Sequence, residues 1–173
     1  NALVAVAVGL EFGVSLQEIK TALAHVKLPG KRMEVFKRDK ILVLNDSYNA
    51  NPDSTLAALE IVKQTTSPGK KIFVFGDMLE LGDLAPAEHA RIGKSLKNFG
   101  VDIFLAFGPQ SAEAVRQAQN TSKNMIAKHF TDKNELISEL KKNIKEHDLL
   151  LVKGSRGMKM EDVIEGLFQE IES

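Results

Sequence analysis

Two hydrophobic periods divide the chain. Residues 1–12 (NALVAVAVGLEF) and 15–25 are apolar at helical spacing, and Ser15 with Glu18 has the S-x-x-E spacing of a capping box in front of the second segment. Pro29 and Gly30 break that pattern, and two β-prone runs, 33–36 and 41–44, flank the polar stretch 37–40. This predicts a hairpin at a domain boundary. From there strands and helices alternate: helix 53–65, strand 71–75, helix 86–99, strand 102–107, helix 110–119, strand 126–130, helix 132–146, strand 148–152 and helix 159–171.

Strands that are apolar nearly throughout, such as IFVF and LLLV, are what a parallel sheet covered on both faces requires. The predicted fold is therefore α/β: a Rossmann-like, doubly wound, mostly parallel sheet with helices on both faces. Residues 1–28 read as a short helical tail of an upstream domain and 29–173 as the α/β domain. The chain begins without Met inside an Ala-rich helical pattern, so it is expected to start within a larger protein.

Composition narrows the function classes. Lys plus Arg and Asp plus Glu each number 23, leaving no net charge and no basic stripe to neutralise a run of phosphates, so nucleic acid is not an expected partner. Cysteine is absent, which excludes a disulfide framework, a thiolate metal site and a thiol nucleophile together. The apolar N-terminal stretch is too short for a bilayer of about 30 Å and has no basic lead-in, so neither an anchor nor a signal peptide is expected.

Ligands of such sheets bind beyond the C-terminal ends of the strands, which selects the loops to search. The first, N-D-S-Y-N-A-N-P-D-S, follows ILVL and is dense in polar groups. Asp46 could accept two hydrogen bonds from a ribose diol. The bland alternative is that Asn and Asp only shape a turn and cap the next helix; the cap is assigned to Asp53 and Ser54, and ligand contact to Asp46 and Asn49. The second loop, G-D-M-L-E-L-G-D, sets two acids between two glycines with a third just after, and reads equally as a site for an amine or metal-bound water or as a connector. The third, K-G-S-R-G-M-K, offers Lys153, Ser155, Arg156 and Lys159 at the start of a helix, where positive charge opposes the helix dipole and favours a bound anion over a plain surface turn. Arg32 follows Pro29-Gly30 and fits either a phosphate contact or an interdomain ion pair. The four histidines have no metal-ligand spacing and read as surface or helix residues. No phosphate loop, dinucleotide fingerprint or nucleophile elbow occurs.

Four stretches taken together, L-P-G-K-R-M-E-V, N-D-S-Y-N-A-N-P-D-S, G-D-M-L-E-L-G and K-G-S-R-G-M-K-M-E, resemble the C-terminal domain of the Mur ligases of peptidoglycan synthesis, and within them the branch that joins D-Ala-D-Ala to UDP-MurNAc-tripeptide. The resemblance runs through nearly the whole chain. It implies an ADP-forming acid–amino-acid ligase of the bacterial cytoplasm: ATP phosphorylates the tripeptide carboxylate, and the D-Ala-D-Ala amine attacks the acyl phosphate. It also implies that the phosphate loop, the Mg²⁺ ligands and the catalytic groups belong to a central ATPase domain on which this one packs, in a monomer. This chain would then hold no catalytic or metal-ligating residue and would be inactive alone, its share being to position substrates.

Residue by residue, the resemblance implies ATP contacts at Asn1 (adenine), Arg32 (phosphates) and Asp46 (ribose), with Tyr48, Asn49 and Pro52 lining the nucleotide side. For D-Ala-D-Ala, charge alone suggests Lys153 and Arg156, with Ser155 in the same loop, for the carboxylate, and Asp77 or Glu80 for the ammonium. Two alternatives remain. One is another ligase with this domain, taking a diamino acid or glutamate, although the Asp-Asn-Pro-Arg stretch of diamino-acid ligases is absent; the other is a free-standing nucleotide-binding module.

Overall fold

The computed structural model describes residues 2–26 and 30–169. Helices α1 (Ala2–Glu11) and α2 (Leu16–Ala24) pack on each other, and Ser15 and Glu18 form the predicted capping box. Only Ile19 of this pair is buried, while Leu3 is 84% and Phe12 82% exposed. The boundary placed at 28/29 lies outside the described residues.

Strands β1 (Glu34–Arg38) and β2 (Ile41–Asp46) form the predicted hairpin. Its turn is tighter than expected, since Asp39 and Lys40 alone make it, with φ of 49° and 61°. Two successive left-handed residues match the twist of the paired strands. The alternating part follows as α3 (Pro52–Gln64), β3 (Lys71–Gly76), α4 (Ala85–Ser95), β4 (Ile103–Phe107), α5 (Ser111–Thr121), β5 (Ile126–Phe130), α6 (Lys133–Asn143), β6 (Leu149–Lys153) and α7 (Glu161–Phe168).

The six strands lie in the order β1-β2-β6-β3-β4-β5, antiparallel only at β1–β2. Successive side chains point to opposite faces of a strand, so each apolar run feeds two cores. Phe73, Phe75, Phe104, Leu149 and Leu151 pack with Leu59, Ile92 and Val115 of α3, α4 and α5. Ile72, Val74, Leu105, Leu150 and Val152 pack with Leu136 and Leu140 of α6 and Val163 of α7. This is the doubly wound sheet the sequence predicts.

Helix ends depart from expectation where local chemistry overrides periodicity. Asn51, not Asp53 or Ser54, caps α3: its side chain accepts from Ser54 N, while Ser54 Oγ accepts from Asn51 N, with Pro52 at the first turn. Asp53 stays exposed in that turn. The last helix begins two residues late, because a 3-10 turn at Arg156–Met158 and left-handed Lys159 (φ 46°) intervene.

Candidate functional site

The loops after β2, β3 and β6 converge at the C-terminal edge of the sheet, where β6 is inserted between β2 and β3 and crossovers leave in both directions. Two clefts open there. One, of about 400 Å³, is lined by Arg32, Asp46, Tyr48, Asn49, Ile61 and Lys153 among others. The other, of about 410 Å³, is lined among others by Tyr48, Asn49, Leu79, Glu80, Ser155 and Arg156. Tyr48, Asn49 and Asn51 line both and form the ridge between them.

Asp46 is the last residue of β2, and parallel register sets it opposite Lys153, the last of β6. Its Oδ1 accepts from Met33 N at 3.0 Å, and its Oδ2 pairs with Lys153 Nζ. The carboxylate is thereby aimed from two sides while still lining the first cleft. Lys153 Nζ also donates to Asn49 O at 2.9 Å, and the residue is 1% exposed. That corrects the assignment of Lys153 to a substrate carboxylate. Its ammonium is turned inward, because an odd position in LLLVK shares the face of Leu149 and Leu151.

Arg32 sits between two left-handed residues, Lys31 (φ 68°) and Met33 (φ 50°), a conformation that costs non-glycine residues energy and concentrates at functional sites. Its guanidinium lies 3.9 Å from the centre of the Tyr48 ring, and Arg156 approaches the same ring at 5.9 Å. Tyr48 N donates to Lys31 O at 2.9 Å, tying this segment to the loop after β2. Asn49 Oδ1 accepts from Ala50 N, so it shapes its own loop as well as lining both clefts. Pro52 opens α3 and lines neither cleft. Asn1 lies outside the described residues.

In the second cleft Glu80 is exposed, and its φ of 64° turns the G-D-M-L-E-L-G loop at that point. Asp77 is elsewhere. It is 1% exposed, and its two oxygens accept from Gln110 N (3.0 Å) and Ser111 N (2.7 Å), so it caps α5 from 33 residues away. The expectation that Asp77 orients a substrate amine is thus corrected; α5 has no side-chain cap of its own and recruits this carboxylate. Ser155 is also a structural tie: Oγ accepts from Leu79 N (2.8 Å) and donates to Ala50 O (3.2 Å), joining the three loops, and only its edge lines the cleft.

Two contributors escaped the sequence reading. His89 is wholly buried in α4; Nδ1 donates to Ala85 O and Nε2 accepts from Met78 N at 3.0 Å, fixing the loop after β3. Since Nε2 is the acceptor, it carries no proton for Asp77, 3.9 Å away, and the contact is not an ion pair. Glu161, in the first turn of α7, accepts from Lys31 Nζ (2.9 Å) and Arg156 Nη1 (3.1 Å) through Oε1, while Oε2 is buried without a partner among the described residues. Burial pushes its carboxyl up, but the Lys31 hydrogen bond, its own backbone N–H and the two cations together hold it below the ordinary value of 4.5. The anion expected near Lys153–Lys159 is in part this internal one. The signal was an acid at the end of K-G-S-R-G-M-K-M-E, at a helix start.

Among the described residues no three His, Cys, Asp or Glu side chains gather to hold a metal ion, and no helix is long and apolar enough to cross a membrane.

Residues 31–156 match the protein family described as Mur ligase, glutamate ligase domain. A UDP-N-acetylmuramoyl-tripeptide–D-alanyl-D-alanine ligase of Escherichia coli is 39% identical over 170 residues, which cover 96% of this chain and 36% of that protein. The crystal structure of MurF from Acinetobacter baumannii superposes with a TM-score of 0.83 at 32% identity, over 98% of this chain and 37% of that one. MurF from Thermotoga maritima, solved in complex with ADP, superposes at 0.76 and 27% identity over 94% and 35%. The chain thus spans little more than a third of the length of each of these relatives.

Proposed function

Because this chain belongs to the Mur ligase family, we propose that it is the part of an ATP-dependent D-Ala-D-Ala-adding ligase that brings nucleotide and dipeptide together against the rest of the enzyme. The observation that carries this reading is the pair of clefts sharing the Tyr48–Asn49–Asn51 ridge, one with a cation and an aimed carboxylate, the other with a cation and a free carboxylate. In the first, Asp46 accepts from the ribose hydroxyls, Arg32 meets phosphate, and Tyr48 with Asn49 forms the wall. The ADP found with the Thermotoga maritima relative supports a nucleotide here.

The second cleft suits a zwitterion. Arg156 can grip a carboxylate through two parallel hydrogen bonds, and Glu80 can accept from an ammonium at the other end. The amine of D-Ala-D-Ala must be unprotonated to attack an acyl phosphate, so Glu80 aligns it and the chain's contribution is orientation. UDP-MurNAc-tripeptide, Mg²⁺ and the bond-making groups are assigned to the central ATPase domain on which this domain packs.

In the full-length ligase, Arg156→Ala should raise KM for D-Ala-D-Ala by about tenfold, the loss of one charge-assisted contact, with KM for the tripeptide unchanged. An unaltered KM for the dipeptide would remove Arg156 from its site.

A further inference from the structure

We infer that Lys153 is a positioning residue for the nucleotide: it sets the Asp46 carboxylate and the Asn49 loop in the geometry that the ribose reads. The inference rests on the nucleotide reading of the first cleft and assigns the buried cation beneath it.

Lysine is seldom buried whole, because its ammonium loses water and must regain every interaction from the protein. Lys153 is 1% exposed, yet it sits at the end of an apolar strand where a leucine would pack. Its two acceptors are both in the cleft wall: Asp46 Oδ2, and Asn49 O at 2.9 Å. Register explains the first. Asp46 and Lys153 are directly paired across parallel β2 and β6, on the face shared by Leu44 and Leu151. The second contact crosses from strand to loop and holds the turn from which the Tyr48 and Asn49 side chains line both clefts.

The Asp46 carboxylate is therefore gripped at Oδ2 by the ammonium and at Oδ1 by Met33 N–H. Both torsions of the side chain are fixed, and the remaining lone pairs are presented at 15% exposure to the cleft. Without Lys153 the carboxylate is free to rotate, and the Asn49 carbonyl loses the donor that holds its turn. The result is a misaimed acceptor for the diol rather than a missing one.

The test is a double-mutant cycle in the full-length ligase with Lys153→Met, Asp46→Asn and the double variant, reading KM for ATP, KM for D-Ala-D-Ala, kcat and melting temperature. Each single variant is expected to raise KM for ATP about tenfold, the size of one charge-assisted hydrogen bond, and KM for the dipeptide much less, because the Asn49 turn keeps its own bond from Ala50 N to Asn49 Oδ1. The double variant is expected to match Asp46→Asn within about twofold, because Lys153 acts through Asp46. Lys153→Gln, which keeps a donor on a long stem, carries the same prediction if the Met variant does not fold. Multiplying effects, a rise in KM for the dipeptide as large as that for ATP, or a lower melting temperature with unchanged KM for ATP would each overturn the positioning role. Should Asp46→Asn itself leave KM for ATP unaltered, the ribose assignment fails and the role of Lys153 falls with it. A rise for Asp46→Asn without one for Lys153→Met defeats the positioning role alone.

Discussion

Asp77→Asn separates a structural carboxylate from a substrate ligand. Asp77 accepts two backbone N–H groups at the start of α5, at 3.0 and 2.7 Å, from a site 1% exposed. Asparagine has the same shape but only one acceptor oxygen, so one of these N–H groups would face an NH₂ donor and stay unpaired. Hydrogen bonds to a charged group contribute about 1.5–3 kcal/mol each, and the loss of negative charge at a helix N-terminus adds about 0.5–1 kcal/mol. The expected destabilisation is about 3 kcal/mol. With a urea dependence of about 2 kcal/mol per molar, the unfolding midpoint of this chain, followed by far-ultraviolet circular dichroism, should fall by about 1.5 M. Gly108 adds a check from packing, since a Cβ added there would meet the Asp77 carboxylate at 2.6–2.7 Å, so a side chain at this position would displace the cap. An unchanged midpoint together with a raised KM for D-Ala-D-Ala in the full-length enzyme would refute the cap.

Two further outcomes follow from the ridge and its anion. Glu161 has a folded pKa below its ordinary 4.5, so its contribution to stability is present above that value and is lost as pH falls through the folded one; Glu161→Gln should therefore be less stable than the parent at neutral pH, with the gap closing below pH 4.5 in urea titrations, and a gap independent of pH would contradict the pairing. Tyr48 lines both clefts and stacks under Arg32, a contact of about 1 kcal/mol, so Tyr48→Leu should raise KM for ATP and for D-Ala-D-Ala together by about fivefold, whereas a change in only one would mean the ridge is not shared.

The sheet and the location of the site were legible because apolar runs such as IFVF and LLLV carry the strand signal themselves, and a parallel sheet puts ligands at one edge. Which polar residue of a loop faces the cleft was not. Asp77 and Glu80 stand three apart in one acidic loop, and only the neighbouring β4–α5 turn, whose G-P-Q-S start offers no cap, draws the first inward. Lys153 reads as the first residue of a basic loop, but register against Asp46 makes it the last of a strand. Left-handed Lys31 and Met33 leave no mark in composition, since neither residue type favours that conformation, and tertiary contacts hold them there. Glu161 needed the distance between α7 and the Lys31 segment, 130 residues apart in sequence, to be recognised as the anion the basic loop called for.

The identity of the amine decides whether this chain serves a D-Ala-D-Ala-adding ligase. Phosphate release by the full-length protein containing this chain, with ATP and UDP-MurNAc-tripeptide present, should require D-Ala-D-Ala and should saturate with it. Release driven instead by glutamate or a diamino acid, with D-Ala-D-Ala inert, would contradict it.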